Sequence, residues 1–339
     1  MKYSKTVCIC IPCYNNEKTI YDTLDSIVNQ SYKNIVIKVF DNASTDKSLD
    51  IVSHFIEKGY DIEIYRNIEN TSGEQNFNRC IQHAEGEYTA IFHSDDVYKR
   101  NIIEEQVLFM NKFKSRCVAV STHADIIDAL GFCKGERFIP KELTKKKYSI
   151  LDRKVFTDLI FKYGNFITCP SVLFKTSTLK DDIVRFRGDS FKSSSDLDVW
   201  FRLTEFGEIG FLNAPLMNYR LSDASFSYNL TKIRIKDHDY FLVLNDFLKK
   251  YQGDSETLRK NYKILLMKDR IKTNFNKMKL GRNDFESFQL VFDRKRIFES
   301  REYISIYIYA VLCKIFIILP FRKKISTFFC NILKKINHE

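Results

Sequence analysis

Four short apolar runs, each separated from the next by a helical pattern, set the strongest limit on how this chain can fold. Residues 6–11 form the first, closed by Pro12. Ile20, Leu24, Ile27 and Val28 then share one helical face. Residues 35–40 make the second run, which ends in Asp-Asn-Ala-Ser-Thr-Asp at 41–46. Residues 62–65 are the third run, residues 75–84 read as a helix, and residues 87–92 are the fourth, stopping at His-Ser-Asp-Asp, 93–96. Such alternation needs crossover connections between strands, so it predicts a parallel α/β sheet with ligands at the carboxyl ends of its strands. The polar clusters after the first, second and fourth runs fall at such ends.

Further along, residues 104–113 read as a helix and 117–122 as a strand. Residues 130–150 are irregular and lysine-rich, a surface loop or lid. A helix over 155–161, a strand entered through 164–174, and a helix over 194–207 with Leu197, Trp200, Phe201 and Leu203 inward follow. Beyond 229 the pattern is helical and charged to about 300, then apolar over 303–320 and basic at the end.

Charge is placed unevenly. From residue 231 onward there are 24 Lys/Arg against 12 Asp/Glu, whereas residues 1–230 hold 30 against 31. A basic last third suits an anionic surface. Nucleic acid is not expected there, because no recognition motif is present and the excess is diffuse. The apolar segment 304–320 is 17 residues long with Lys314 in its middle, short for a span. A single span would also put Arg322, Lys323, Lys324, Lys334 and Lys335 on the side opposite a cytosolic catalytic part, against the positive-inside tendency. The expectation is an in-plane helix on the cytosolic membrane face. The other reading is a helix packed on the protein.

Nine cysteines at irregular spacing, with no apolar run long enough for a signal peptide, predict free thiols in a reducing, cytoplasmic compartment. Cys8, Cys10 and Cys13 resemble the start of a metal site, but no second Cys or His pair completes it. They read as small core hydrophobes. No G-x-G-x-x-G follows the first strand, which disfavours a dinucleotide oxidoreductase.

The acidic residues carry the chemistry. Adjacent carboxylates at 95 and 96 repel each other unless a cation sits there, and a hard divalent ion bound together with substrate phosphates meets that need. Asp41, at another strand end on the same sheet edge, strengthens this reading against that of a turn and helix cap.

These residues fall in a known order. Ile-Pro-Cys-Tyr-Asn at 11–15, Asp-Asn-Ala-Ser-Thr-Asp at 41–46, Asn78 followed by Ala84-Glu-Gly-Glu-Tyr and Ser94-Asp-Asp, then Asp196-Leu-Asp-Val-Trp-Phe-Arg and a closing Tyr219-Arg220 resemble the inverting glycosyltransferases of family 2. The resemblance runs from about residue 7 to 220. It implies a GT-A fold, that is, a Rossmann-like, mainly parallel sheet flanked by helices, here with a helical, basic C-terminal extension. The implied division is a catalytic domain over 1–225, with a nucleotide-sugar half to about 125 and an acceptor half over 126–225, a helical extension over 226–300, and a membrane-associating tail over 301–339.

By the same resemblance Pro12, Tyr14 and Glu17 shape the nucleotide pocket, Asp41 accepts from a uracil N3–H, and Asn78 and Ser94 lie beside the nucleotide. Asp95 carries Mg²⁺ or Mn²⁺ with Asp96 or His93, and Asp196 is the general base. Trp200, Arg202 and Arg220 lie on the acceptor side. Ser44 and Asp46 read as caps of the next helix. The chain departs from the family pattern at His93, where the family has an Asp, at Phe77, where an Arg or Lys is frequent, and at Ser195, where the family has Glu. The expected partners are a nucleotide-sugar donor and a glycan or lipid-linked acceptor. The alternative those departures allow is a catalytically silent, nucleotide-sugar-binding assembly partner.

Overall fold

The computed structural model describes residues 5–221, 234–253, 255–293 and 301–318. These group into two compact units, one drawn from 1–160 and 165–225, the other from 161–164 and 226–339.

The first unit opens with β1 (Val7–Cys13), α1 (Ile20–Val28), β2 (Ile35–Asp41), α2 (Ser48–Glu57), β3 (Ile62–Arg66), α3 (Gly73–Gln82) and β4 (Tyr88–Ile91). The strands lie side by side in the order β3-β2-β1-β4, all parallel. Every residue of β1 is buried, which is why its sequence is apolar without alternation: helices cover both faces. Cys8 and Cys10 are fully buried on this strand with their Sγ atoms 3.7 Å apart, and neither reaches a ligand set. Burial pushes the Cys13 thiol up to about 12. These thiols are core groups.

The turn into β4 shows why Gly86 precedes Glu87-Tyr88. Its φ is +74°, and a Cβ there would lie 2.7 Å from the Thr6 carbonyl oxygen, so an L side chain would be strained and would clash. The turn lets the Glu87 and Tyr88 amides bond to that same carbonyl, at 2.9 and 3.3 Å, and sets the register of β4 on β1.

The rest of the sheet is mixed. After β5 (Val97–Tyr98) and α4 (Ile102–Lys112) come β6 (Cys117–Ile127), β7 (Cys133–Glu136), α5 (Lys141–Thr144), β8 (Tyr148–Leu151), α6 (Arg153–Tyr163), β9 (Leu173–Lys175), α7 (Gly188–Phe191), α8 (Ser195–Phe206) and β10 (Glu208–Arg220). β9 runs antiparallel between β4 and β6, while β10 runs parallel to β6. Two sequence expectations are corrected here. Residues 130–150 are not irregular: β7 pairs with β6 and β8 with β10. The 13-residue β10 is also absent from the sequence reading, because Pro215 and polar residues interrupt its pattern; they sit where its register on β6 shifts.

The second unit is helical, with helices Tyr240–Lys250, Glu256–Lys279 and Arg301–Ile318. Met267, Ile271, Phe275 and Met278 pack on Tyr309, Ala310, Cys313 and Phe316. The helix Arg301–Ile318, expected at a membrane surface, therefore buries one face on protein and leaves Ile304, Ile308 and Ile315 exposed on the other. No helix among the described residues is long and apolar enough to cross a membrane. The expected basic end, with Arg322, Lys323, Lys324, Lys334 and Lys335, lies outside the described residues.

Candidate active site

The loops after β1 and β2 are sewn together by short polar side chains. Cys13 pairs with Asp41 across the two strand ends. The amides of Asn15, Asn16 and Glu17 donate to Ser44 Oγ at 3.0 Å, Ser48 Oγ at 2.7 Å and Asp46 Oδ2 at 3.0 Å, and the Lys47 amide donates to Glu17 Oε2 at 3.1 Å. Both loops turn through left-handed residues, Asn15 at φ 51° and Ala43 at φ 60°. Strain of this kind persists only where neighbours over-determine it, and it concentrates at functional loops. Asp46 Oδ1 accepts from the Ser48 amide at 2.9 Å, although the N-cap of α2 is Lys47 and has no side-chain cap bond, so the cap expected of Ser44 and Asp46 is not formed as such. Glu17 acts as a strut between the loops, and Pro12 is buried beneath them. Tyr14 is 43% exposed at the mouth.

Asp41 is fully buried. Its two carboxylate oxygens accept the Ser44 amide at 3.3 and 3.2 Å, and Oδ2 lies 3.4 Å from Arg66 Nε. Asn42, next in line, gathers Asn67, Asn70 and Thr71 through four side-chain bonds of 2.7–2.9 Å. Neither Arg66 nor this asparagine cluster is signalled by the sequence motifs. Asn78, expected beside the nucleotide, spends its amide on both backbone groups of Phe186, at 3.2 and 2.7 Å.

The acidic turn follows β4. Ser94 Oγ donates to Asn16 Oδ1 at 2.9 Å, tying this turn to the loop after β1. One ligand atom from each of His93, Asp95 and Asp96 lies within 4.8 Å of the others. His93 Nε2 and Asp96 Oδ2 are buried without a hydrogen-bond partner. Burial and the neighbouring Asp95 charge push the Asp96 carboxyl well above the usual range, and burial pushes the His93 imidazole down. Two close carboxylates, one of them with an unsatisfied buried oxygen, and an imidazole nitrogen form a donor set that fits a divalent cation such as Mn²⁺ or Mg²⁺.

Arg220, expected on the acceptor side, braces this turn. Its amide donates to Asp96 Oδ1 at 2.8 Å, its Nε to the Asp95 carbonyl at 2.8 Å and its Nη1 to the Ala129 carbonyl at 3.0 Å, while Nη2 pairs with Asp22 at 3.0 Å. It is 3% exposed.

The first turn of α8 separates two aspartates. Asp196 is half-buried, accepts from Asn165 Nδ2 at 2.9 Å and from the Leu197 amide at 2.7 Å, and burial pushes its carboxyl up to about 6. Asp198 points into a different environment, a buried triad with Arg187 at 2.9 Å and Arg202 at 3.0 Å. Arg202 also donates to the carbonyls of Ile183 and Arg185, at 2.5 and 2.6 Å. Trp200 is completely buried and stacks on Phe174 at 5.9 Å. Trp200 and Arg202, expected to meet an acceptor, are thus framework residues: one has no exposed surface and the other has its guanidinium committed.

Arg137 and Cys169 belong to no sequence motif. Arg137 follows β7, and its charge acts on both Asp96 and Asp196, opposing the burial that raises them. Cys169 sits in a 3₁₀ turn, Cys169–Ser171, where burial first and then the charges of Asp196 and Asp96 push its thiol up. The metal-type cluster and Asp196 therefore belong to one electrostatic neighbourhood.

Residues 8–176 match the family described as Glycosyl transferase family 2. A glycosyltransferase of Rickettsia typhi is 30% identical over 252 residues, 73% of either chain. A Bacillus subtilis glycosyltransferase named for teichuronic acid biosynthesis is 26% identical over 229 residues, 67% of this chain and 83% of its own. Among solved structures, S. aureus TarS 1–349 in complex with UDP superposes with a TM-score of 0.59 at 16% identity, covering 90% of this chain and 81% of that one. The mannosyltransferase PcManGT from Pyrobaculum calidifontis, in complex with GDP-Man and Mn²⁺, gives 0.56 at 15% identity, covering 92% and 87%. These two establish the likeness of fold.

Proposed function

We propose a specific reaction for this chain, which belongs to glycosyl transferase family 2 and has the GT-A fold: transfer of a sugar from a nucleotide-sugar donor to a glycan or lipid-linked acceptor, with inversion, in the synthesis of a surface polysaccharide or oligosaccharide. The observation that carries it is the buried His93, Asp95 and Asp96 cluster in the turn after β4, and it is supported by Asp196 in the first turn of α8, whose carboxyl burial raises to about 6. The UDP and GDP-Man complexes of the structural neighbours support a nucleotide-sugar donor, and the teichuronic acid relative supports a polymer product.

The residues divide the work by position. Pro12, Tyr14, Asp41 and Ser94 hold the nucleotide, with Asp41 favouring a uracil base and Glu17 fixing the loop that carries Tyr14. Asp95, with Asp96 or His93, would hold Mg²⁺ or Mn²⁺, which when bound offsets charge on the departing diphosphate. Asp196 takes the proton from the acceptor hydroxyl as that oxygen attacks C1 from the face opposite the leaving group. A carboxyl raised to about 6 is a better base than an ordinary aspartate and is still ionised at neutral pH. One displacement gives inversion. Asn165 keeps the Asp196 carboxylate oriented.

The exposed isoleucines of helix Arg301–Ile318 and the basic sequence after it support a peripheral position on the cytosolic membrane face, where a lipid-linked acceptor would be met. A thermal-shift screen of nucleotide sugars with and without Mn²⁺ tests the reading. Metal-dependent stabilisation by one donor class is expected; no donor-dependent shift would contradict it. Stabilisation without any release of nucleoside diphosphate would favour the silent binding partner.

A further inference from the structure

Arg137 is a half-buried cation with no ion-pair partner within 4.0 Å among the described residues. Its backbone is fixed on β6: the amide donates to the Ala124 carbonyl at 2.9 Å, and the carbonyl accepts from His123 Nε2 at 2.7 Å. Its guanidinium lies over the Tyr219 ring, 5.1 Å from the centroid. Tyr219 directly precedes Arg220, which braces the acidic turn. Arg137 Nε is buried and has no hydrogen-bond partner.

The contrast with the other arginines here is informative. Arg187, Arg202 and Arg220 each pair with a carboxylate, and Arg202 and Arg220 also bond backbone carbonyls. Arg137 forms no ion pair within 4.0 Å among the described residues, although its charge is felt by Asp96 on one side and Asp196 on the other. Stacking on one aromatic ring contributes little against the cost of drawing a guanidinium out of water. A rigidly mounted, partly desolvated guanidinium with free N–H groups is the usual fixture for a planar array of anionic oxygens, which it can bind bidentately.

We infer that Arg137 binds the diphosphate of the nucleotide, supplying a second, protein-borne positive charge at the leaving group. The inference rests on the proposed nucleotide-sugar reaction. Its reason is positional: Arg137 lies over Tyr219, whose neighbour Arg220 bonds Asp96 Oδ1 and the Asp95 carbonyl, so the guanidinium is held near the acidic turn that would meet the diphosphate. Because the charge on the diphosphate grows as the glycosidic bond breaks, the contact strengthens toward the transition state and raises kcat as well as affinity. Arginine is preferred to lysine there because two oxygens are held at once.

The test uses the full-length protein with Mn²⁺ and calorimetric titration of a nucleoside, its monophosphate and its diphosphate, on wild type, Arg137→Gln and Arg137→Lys. Arg137→Gln is expected to bind the diphosphate roughly 10- to 100-fold more weakly while nucleoside affinity stays put, with Arg137→Lys in between. Melting temperature should barely move, since no internal ion pair is lost. Equal diphosphate affinity in wild type and Arg137→Gln overturns the inference while leaving the proposed reaction intact. So does a variant whose only defect is a higher KM for acceptor, which would assign the anion to the acceptor. A wild-type protein that binds no nucleoside diphosphate overturns the inference and the proposed reaction together.

Discussion

Two acidic clusters sit in the first unit, and they are built on opposite principles. Around Asp198 every charge is answered: the carboxylate is buried between Arg187 and Arg202, and Arg202 spends its remaining donors on the Ile183 and Arg185 carbonyls. Around the turn after β4 the accounts are left open. Asp96 Oδ2 and His93 Nε2 are buried without a hydrogen bond, Arg137 meets no carboxylate among the described residues, and the carboxyls of Asp96 and Asp196 are raised by burial. Proteins rarely leave buried polar groups unsatisfied without a reason. The first cluster is framework; the second is a place prepared for something charged to arrive.

The comparison can be broken by mutation. Asp196→Asn should lower kcat by roughly 10²- to 10⁴-fold with little change in donor affinity, measured as steady-state turnover beside donor titration. Near wild-type turnover would remove Asp196 from the base role. Asp198→Ala, only two residues away, should act on folding, costing about 3 kcal/mol because two arginines lose their shared partner. Denaturant melts would read this directly, and a variant of unchanged stability would show that the triad is not framework.

Asn78→Ala sharpens the same division. If its amide serves only the Phe186 backbone, the loss is about 1–3 kcal/mol of stability with donor affinity unchanged. Weaker nucleotide binding at full stability would return Asn78 to the nucleotide pocket. The smallest effect is in the pH profile. Because the ionised carboxylate is the active form and its carboxyl is raised to about 6, kcat should be level above that pH and fall about tenfold per unit below it. A profile flat down to pH 4.5 would mean that an ordinary aspartate, or no base, limits the reaction.

The parallel half of the fold was legible mainly because its central strand is buried along its whole length and so spells itself as an unbroken apolar run, β1; the edge strand β3 is largely exposed and was read from its alternation with helical patterns. β10 was not, because Pro215 sits at a register shift that erases the pattern. Within the proposed site, the order of motifs singles out Asp41, the turn at 93–96 and Asp196. It could not assign tasks to neighbours whose roles depend on packing. Trp200 and Arg202 lie in the right motif, yet one is core and the other is clamped to Asp198 and two carbonyls. Arg137 was invisible for the converse reason: it belongs to no motif and follows the short, wholly exposed strand β7, which carries no hydrophobic pattern.

That the open cluster and Asp196 form one catalytic centre fed by a nucleotide sugar is tested most directly by release of nucleoside diphosphate from the wild-type protein, followed with UDP-sugars and GDP-sugars before and after chelation. Release from one donor class should stop on chelation and return with Mn²⁺ or Mg²⁺; release indifferent to the metal, or none from any donor with any acceptor, would contradict a metal-dependent transferase.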